Sequence, residues 1–366
     1  MMNNSLSRVL PAFLKTFDSI FGRIGARILP QPDRKSYPTT IASILVIRPG
    51  GIGDAALVAP LIAVLADRYP TAGIYILAER RNAGVFCLIP GIKKLFLYDK
   101  PAELCNALRE KYDLVIDTEQ WHRLSAVVAR LTGTDCSLGF DTNERSRLFT
   151  YTVPYAHEHY EAQSFLNLLT PLGFQVAFNP AVTFLEVPAS AVQEIANLSV
   201  NQAATRYVTI FPGASISERR WGTDKFRLLA SRFTASGLIP VIIGGDSERL
   251  AGDEIIAKGG FNYAGRTTLA GSASLISRSS LLVSSDSGIL HIGAGLGIPT
   301  VSLFGPGISA KWGPCGNRNV IIDKGMDCSP CTRFGYTPEC FYNVRCMAEI
   351  SVDEVYMAAT GLLNKI

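Results

Sequence analysis

The chain has 366 residues, which at roughly 150 residues per domain suggests about two domains and ample length for a sizeable core. Hydrophobic residues make up 48% and charged residues 18%, a balance that excludes a disordered or coiled-coil chain. Lys plus Arg number 35 against 31 Asp plus Glu, and the resulting charge of +4 is too small to argue for nucleic acid. No apolar run reaches the ~18 residues of a spanning helix, so an integral membrane protein is not expected. The amino terminus lacks a short apolar stretch followed by a small-residue cleavage site, and eight cysteines in so long a chain do not make a disulfide scaffold. The expected compartment is the cytosol.

Residues 1–37 stand apart as an amino-terminal extension. Leu6, Val9, Leu10, Phe13, Phe17, Ile20, Phe21, Ile24 and Ile28 recur at three- and four-residue steps, which predicts a helix with one apolar face. Arg8, Lys15, Arg23 and Arg27, opposed by Asp18, make that helix basic. It either lies in the interface of an anionic membrane or packs on the protein's own surface. Pro30, Pro32 and Pro38 end it.

A repeated strand, turn and helix pattern follows. Ile44–Ile47 is a continuous apolar run, as expected of a strand buried on both faces, and a helix from Ala55 to about Tyr69 is stopped by Pro70. Ile74–Leu77, Leu95–Leu97 and Leu114–Ile116 read as further strands, and Pro180–Pro188 as a linker. A second series has strands at Tyr207–Phe211, Ile239–Ile243, Leu281–Ser285 and Val301–Phe304. Its helices are expected from about Asp224 to Ser236, after Gly244-Gly245 as far as Lys258, briefly after Asp286-Ser287-Gly288 and, closing the chain, over about Val352–Leu363. The fold class is therefore α/β, with two doubly wound domains at about 38–185 and 186–366. Ligands of such folds bind where the carboxyl ends of the strands open.

The turns at those strand ends carry the candidate chemistry. Arg48-Pro49-Gly50-Gly51-Ile52-Gly53-Asp54 lets backbone amides approach a ligand, with Asp54 either a helix cap or a carboxylate at the mouth of the cleft. Its glycine spacing is not a dinucleotide fingerprint, and it lacks the Lys-Ser/Thr of a Walker loop. The loop Pro212–Trp221 offers Ser215, Ser217, Arg219 and Arg220, which suit a phosphate or diphosphate but could also form a solvated turn. In Gly244-Gly245-Asp246-Ser247-Glu248 a carboxylate can accept ribose hydroxyls, while Asp246 or Ser247 can cap a helix. Ser285-Asp286-Ser287-Gly288-Ile289-Leu290-His291 presents consecutive N–H groups to an anion, with His291 either on a phosphate or in the core. Cys328, Cys331, Cys340 and Cys346 are a possible structural zinc cluster, although their spacing is not a standard one. His157-Glu158-His159 has no third ligand nearby and reads as the surface before a helix.

These motifs, in this order, resemble glycosyltransferase family 9, best known for the ADP-heptose:lipopolysaccharide heptosyltransferases. The resemblance rests on Arg48 to Asp54 with Pro60, on Pro212-Gly213-Ala214-Ser215 with Arg220-Trp221, and on Asp286-Ser287-Gly288 with His291 and Phe304-Gly305-Pro306. Tyr112–Asp117, Gly139-Phe140 and the closing cysteine stretch are also similar. The resemblance implies a GT-B fold with the acceptor on the first domain and the nucleotide sugar on the second. It implies inverting transfer with no cofactor, an ADP-sugar donor and a lipid-linked oligosaccharide acceptor at the cytoplasmic face of the inner membrane. Asp54 matches the family's catalytic base, Arg219 the position of a donor-phosphate lysine, and Glu248 the ribose-binding acid. Asp286, Ser287, Gly288 and His291 match the donor loop, and Gly51, Gly53, Asp117 and Glu119 fall on the acceptor side. Arg219 in place of lysine, Gly222 in place of a common proline, and the extension before residue 38 depart from the pattern. Two alternatives stay open: a nucleotide-sugar epimerase of the same architecture, with Asp117 or Glu119 as its second acid, and a catalytically silent nucleotide-sugar-binding protein.

Overall fold

The computed structural model describes residues 18–33, 38, 40–202, 206–257, 259–333 and 336–365. Apolar runs that must be buried on both faces become the central strands of two all-parallel sheets. The first has the order β3-β2-β1-β4-β5-β6, with β1 at Ser43–Arg48, β2 at Gly73–Ala78, β3 at Ile92–Leu97, β4 at Leu114–Asp117, β5 at Ser137–Phe140 and β6 at Tyr151–Val153. The second has the order β12-β11-β10-β7-β8-β9, with β7 at Tyr207–Phe211, β8 at Ile239–Ile242, β9 at Phe261–Asn262, β10 at Leu282–Ser285, β11 at Thr300–Phe304 and β12 at Asn319–Asp323. In each sheet the order reverses beside the first strand, between β1 and β4 and between β7 and β10. The loops after those four strands therefore border the crevice that forms at a switch point.

Ile44, Leu45, Val46 and Ile47 are fully buried, as their unbroken apolar pattern requires. The helix expected from Ala55 to Tyr69 is two helices. At Pro60 there is no N–H for a carbonyl one turn back, and the chain breaks at Val58 between α2 (Ile52–Leu57) and α3 (Ala59–Arg68). One apolar cluster runs from Ala55, Leu61 and Phe165 of the first half to Ile243, Ala273 and Ile289 of the second, so the two sheets share a continuous core. A second cluster joins α6 (Thr223–Ala235) and the closing helix, Val352–Leu363, to the other face of the second sheet.

Residues 1–17, with Leu6 to Phe17 of the expected amphipathic pattern, lie outside the described residues. Beyond them, Asp18–Gly22 is helical and continues as α1 (Arg23–Ile28) against α4 (Leu124–Leu131). Asp18 is buried, and its Oδ1 accepts the Arg123 and Leu124 amides at 2.8 Å each, ordering the start of α4. The packed side is made of small residues. A Cβ on Gly22 would lie 2.8 Å from Arg123 Cβ, and one on Gly25 would lie 2.9 Å from Val127. The large apolar residues Ile20, Phe21, Ile24 and Ile28 stay outside, about half to three-quarters exposed. The segment thus packs on the protein and still presents an apolar face.

The two halves touch most closely where α2 meets α8 (Gly288–Gly295). A Cβ on Gly288 would lie 2.6 Å from Ile52 Cβ and 2.9 Å from the Gly53 nitrogen. Backbone meets backbone there, and only glycine fits. Gly288→Ala is expected to cost about 1–3 kcal/mol by overpacking, read by denaturant unfolding, and to enlarge the radius of gyration. Unchanged stability and size would contradict this contact.

Candidate active site

The loop after β1 is fixed by its own arginine. Arg48 is buried, and its Nη2 donates to Glu119 Oε2 at 2.8 Å while Nη1 donates to the Thr118 carbonyl at 2.8 Å. Burial alone would lower the Arg48 pKa, but the carboxylates of Asp54, Glu119, Glu161 and Asp117 outweigh it and hold it above its usual value. Arg48 Nη1 also lies 3.9 Å from Asp54 Oδ1.

Asp54 sits in the first turn of α2 and makes no helix-capping bond. Its Oδ1 accepts from Gln120 Nε2 at 3.2 Å, and the same amide donates to Glu161 Oε1 at 2.6 Å. Glu161 opens α5 (Glu161–Asn167) and is fully buried. Burial raises its pKa against the pull of Lys311 and the Gln120 bond. Lys311 Nζ lies 2.7 Å from Glu161 Oε2, and Tyr155 donates its hydroxyl to the same oxygen at 2.9 Å. Glu161, Gln120 and Lys311 carry no motif, and sequence reasoning missed them because each lies far along the chain from Asp54.

Gly51 lies beside Asp54 and Gly53 lies at the interdomain contact. Asp117 and Glu119 are not free groups facing an acceptor. Asp117 is fully buried, and Arg145 Nη2 donates to its Oδ2 at 2.6 Å. Burial raises the Asp117 pKa, with Arg145 opposing. Glu119 pairs with Arg48 and accepts the Trp121 and His122 amides. Burial would raise it, but Arg48, His122 and Arg145 hold it below the usual carboxylate range. Removing one partner of a buried pair costs about 3–5 kcal/mol, so both acids act as supports of the loop. The second acid that the epimerase alternative places at Asp117 or Glu119 is thus ion-paired in this structure at either position.

Across the cleft, Arg219 Nη1 lies 3.0 Å from Asp286 Oδ2. Burial raises the Asp286 pKa; Arg219 opposes this, and Asp54, from the other half, adds to it. Ser287 precedes α8, and its hydroxyl pairs with Ser284 Oγ at 2.8 Å. Ser215, Ser217 and Arg220 are exposed on the neighbouring loop, where Ser217 Oγ donates to Glu218 and Arg220 donates to the Ala214 carbonyl. Glu248 folds back on its own turn, accepting from the Gly245 amide at 2.9 Å and from Ser247 Oγ at 2.8 Å. It nevertheless borders the same rim, since a Cβ on Gly213 would lie 2.6 Å from its Oε1. Gly222 has φ +106°, which proline cannot adopt, so the departure there has a backbone cause.

His291 is buried at the contact between the halves, where a Cβ on Gly53 would lie 2.6 Å from its Cδ2. Burial, and then the charge of Arg219, push its pKa down to about 4. Among the described residues no group of three or more His, Cys, Asp or Glu side chains is arranged to hold a metal, and Cys328, Cys331, Cys340 and Cys346 are free thiols. Burial raises the Cys331 and Cys346 thiols, and the neighbouring cysteines of the group add to the shift.

Two doubly wound sheets that open onto one cleft, with a carboxylate on one lip and an arginine-bearing loop on the other, make up a GT-B fold. The family model of glycosyltransferase family 9 (heptosyltransferase) matches residues 102–340, and the chain belongs to that family. It is 29% identical over 297 residues to lipopolysaccharide heptosyltransferase 3 of Escherichia coli, covering 75% of this chain and 86% of that protein. The crystal structure of the family 9 glycosyl transferase from Veillonella parvula superposes with a TM-score of 0.77 at 21% identity, covering 91% of this chain and 100% of that one. Escherichia coli heptosyltransferase WaaC with ADP-2-deoxy-2-fluoro heptose superposes with a TM-score of 0.68 at 16% identity, covering 87% of this chain and 99% of that one.

The sign of the His291 shift predicts a pH dependence. With a folded pKa of about 4 against an ordinary 6.5, the unfolded chain binds the extra proton first. The stabilisation from the neutral ring is complete above pH 6.5 and is lost as pH falls towards 4. Its imidazole resonances should therefore not titrate above about pH 5, and a midpoint near 6.5 would contradict the burial.

Proposed function

We propose that the chain is an inverting glycosyltransferase that moves a heptose, or a related sugar, from an ADP-sugar to a lipopolysaccharide-core or other lipid-linked acceptor. On this reading residues 38–185 bind the acceptor and residues 186–366 bind the donor. The observation that carries it is the meeting of the two lips: the Gly53–Gly288 contact sets the Asp54 loop against the Asp286 loop, near enough for the charge of Asp54 to be felt at Asp286. Asp54 takes the proton from the acceptor hydroxyl as its oxygen attacks the anomeric carbon. The bond from that carbon to the diphosphate breaks on the opposite face, which inverts the centre. The negative charge left on ADP is received by Arg219 and by the amides that open α8. Glu248 turns to the ribose, Ser215, Ser217 and Arg220 line the phosphate side, and His291 backs the loop as a neutral ring. Transfer needs no metal on this reading, because fixed cationic and N–H groups meet the leaving charge.

The acceptor is lipid-linked, and the exposed row Ile20, Phe21, Ile24 and Ile28 gives the enzyme a means to reach it. Arg23 and Arg27 flank that row, so it suits the anionic cytoplasmic leaflet, where apolar insertion and charge attraction add. No described helix is long and apolar enough to cross a membrane, which leaves peripheral contact as the mode proposed.

Asp54→Asn is expected to lower turnover of ADP-heptose by about 10²-fold or more, with little change in donor affinity and with activity undiminished by chelator. Near-normal turnover would remove Asp54 as the base. Replacing Phe21 and Ile24 by serine should weaken binding to anionic phospholipid vesicles while leaving turnover of a soluble acceptor intact. Equal vesicle binding would assign the segment to packing alone.

A further inference from the structure

Lys311 belongs to the second half but is buried in the first. It lies on α9 (Ser309–Trp312), in the connection between β11 and β12, and its side chain is 3% exposed. An ammonium has three N–H groups, and all three are met: by Glu161 Oε2 at 2.7 Å, by the Ala156 carbonyl at 2.6 Å and by Ser164 Oγ at 3.0 Å. The Tyr155 ring covers the ammonium at 4.2 Å. Every one of these partners comes from the first half, in the β6–α5 connection or on α5 itself. The site for Lys311 is thus complete in one half, and its occupant is carried by the other.

We propose that Lys311 is a positioning residue that couples the seating of the two halves to the orientation of Asp54, a proposal that rests on the reading of Asp54 as the base. The link runs through atoms already described. Glu161 accepts from Lys311, Tyr155 and Gln120, as a carboxylate does, and the ammonium favours that charged form where burial opposes it. An anionic Glu161 accepts hydrogen bonds and cannot donate one, and Arg48 Nη1 donates to Gln120 Oε1 at 3.4 Å, so together they turn the Gln120 NH₂ towards Glu161. The second hydrogen of that NH₂ then reaches Asp54 Oδ1 at 3.2 Å. Withdrawal of Lys311 leaves Glu161 without its cation, and the buried acid takes up a proton. A protonated Glu161 is a weaker acceptor for the Gln120 NH₂, so the amide that holds Asp54 Oδ1 is no longer fixed from behind. The base is therefore set for an acceptor only while the donor-binding half is docked, which keeps deprotonation of the acceptor in step with the presence of the sugar.

The test compares wild type with K311M and with the double variant K311M/E161Q. K311M alone strands a buried carboxylate and is expected to lose stability, whereas the double variant removes both charges and keeps the fold. Two quantities are read: kcat against donor KM with ADP-heptose and a delipidated core acceptor, and the radius of gyration with ADP by X-ray scattering. The expected result for the double variant is a kcat lowered about tenfold or more, a donor KM within about twofold of wild type, and a larger particle. A double variant with wild-type kcat overturns the proposal, whatever its size. A lowered kcat with an unchanged radius also overturns it, because seating would then not be what Lys311 controls. If wild type transfers nothing from ADP-heptose, the functional reading fails separately, and the radius alone decides whether Lys311 holds the halves together.

Discussion

The contact between Gly53 and Gly288 is the constraint on which the site depends. Two parallel sheets, each with its own switch point, would present two unrelated crevices if side chains held their rims apart. With no Cβ on either residue, the start of α2 comes to backbone distance from the start of α8. That approach sets the loop after β1 against the loop after β10 and buries His291 between them. The shared core beneath, from Ala55 through Phe165 to Ile289, makes the pairing a packed interface as well as a touching of loops.

Charge around that contact is arranged in two layers. The inner layer, Arg145 with Asp117 and Arg48 with Glu119, is buried and paired within the protein. It spends its carboxylates on holding the loops after β1 and β4. The outer layer keeps capacity: Asp54 is partly exposed and held by one amide, and Arg219, 16% exposed beside Asp286, leaves its Nε without a partner. A group that must exchange a proton with one substrate or meet the phosphates of another has to belong to the outer layer.

Much of the architecture was legible because a parallel strand buried on both faces must be an unbroken apolar run. β7 falls at Tyr207–Phe211 and the closing helix at Val352–Leu363, as the pattern predicts. The strands not foreseen, β5, β6, β9 and β12, are outer members of their sheets, and they are short or mix polar residues into the run, so they lack that signature. The loops that carry Asp54, Arg219 and Asp286 were legible because each follows a buried parallel strand, where ligands of such folds bind. Asp117 and Glu119 looked equally suited, since sequence gives no sight of Arg145 and Arg48 already paired with them. Lys311 and Glu161 were invisible for the opposite reason: their meaning comes from a meeting across 150 residues of chain, which no local spacing records.

The most direct measurement is calorimetric titration of ADP, UDP and GDP, without added metal, into wild type and into Arg219→Ala. The proposed ADP-sugar donor predicts that ADP binds to wild type in preference to UDP and GDP, and the proposed donor loop predicts that this binding is lost or strongly weakened in the variant. Binding of UDP or GDP in its place, or ADP binding that Arg219→Ala leaves untouched, would contradict the assignment of donor and donor loop.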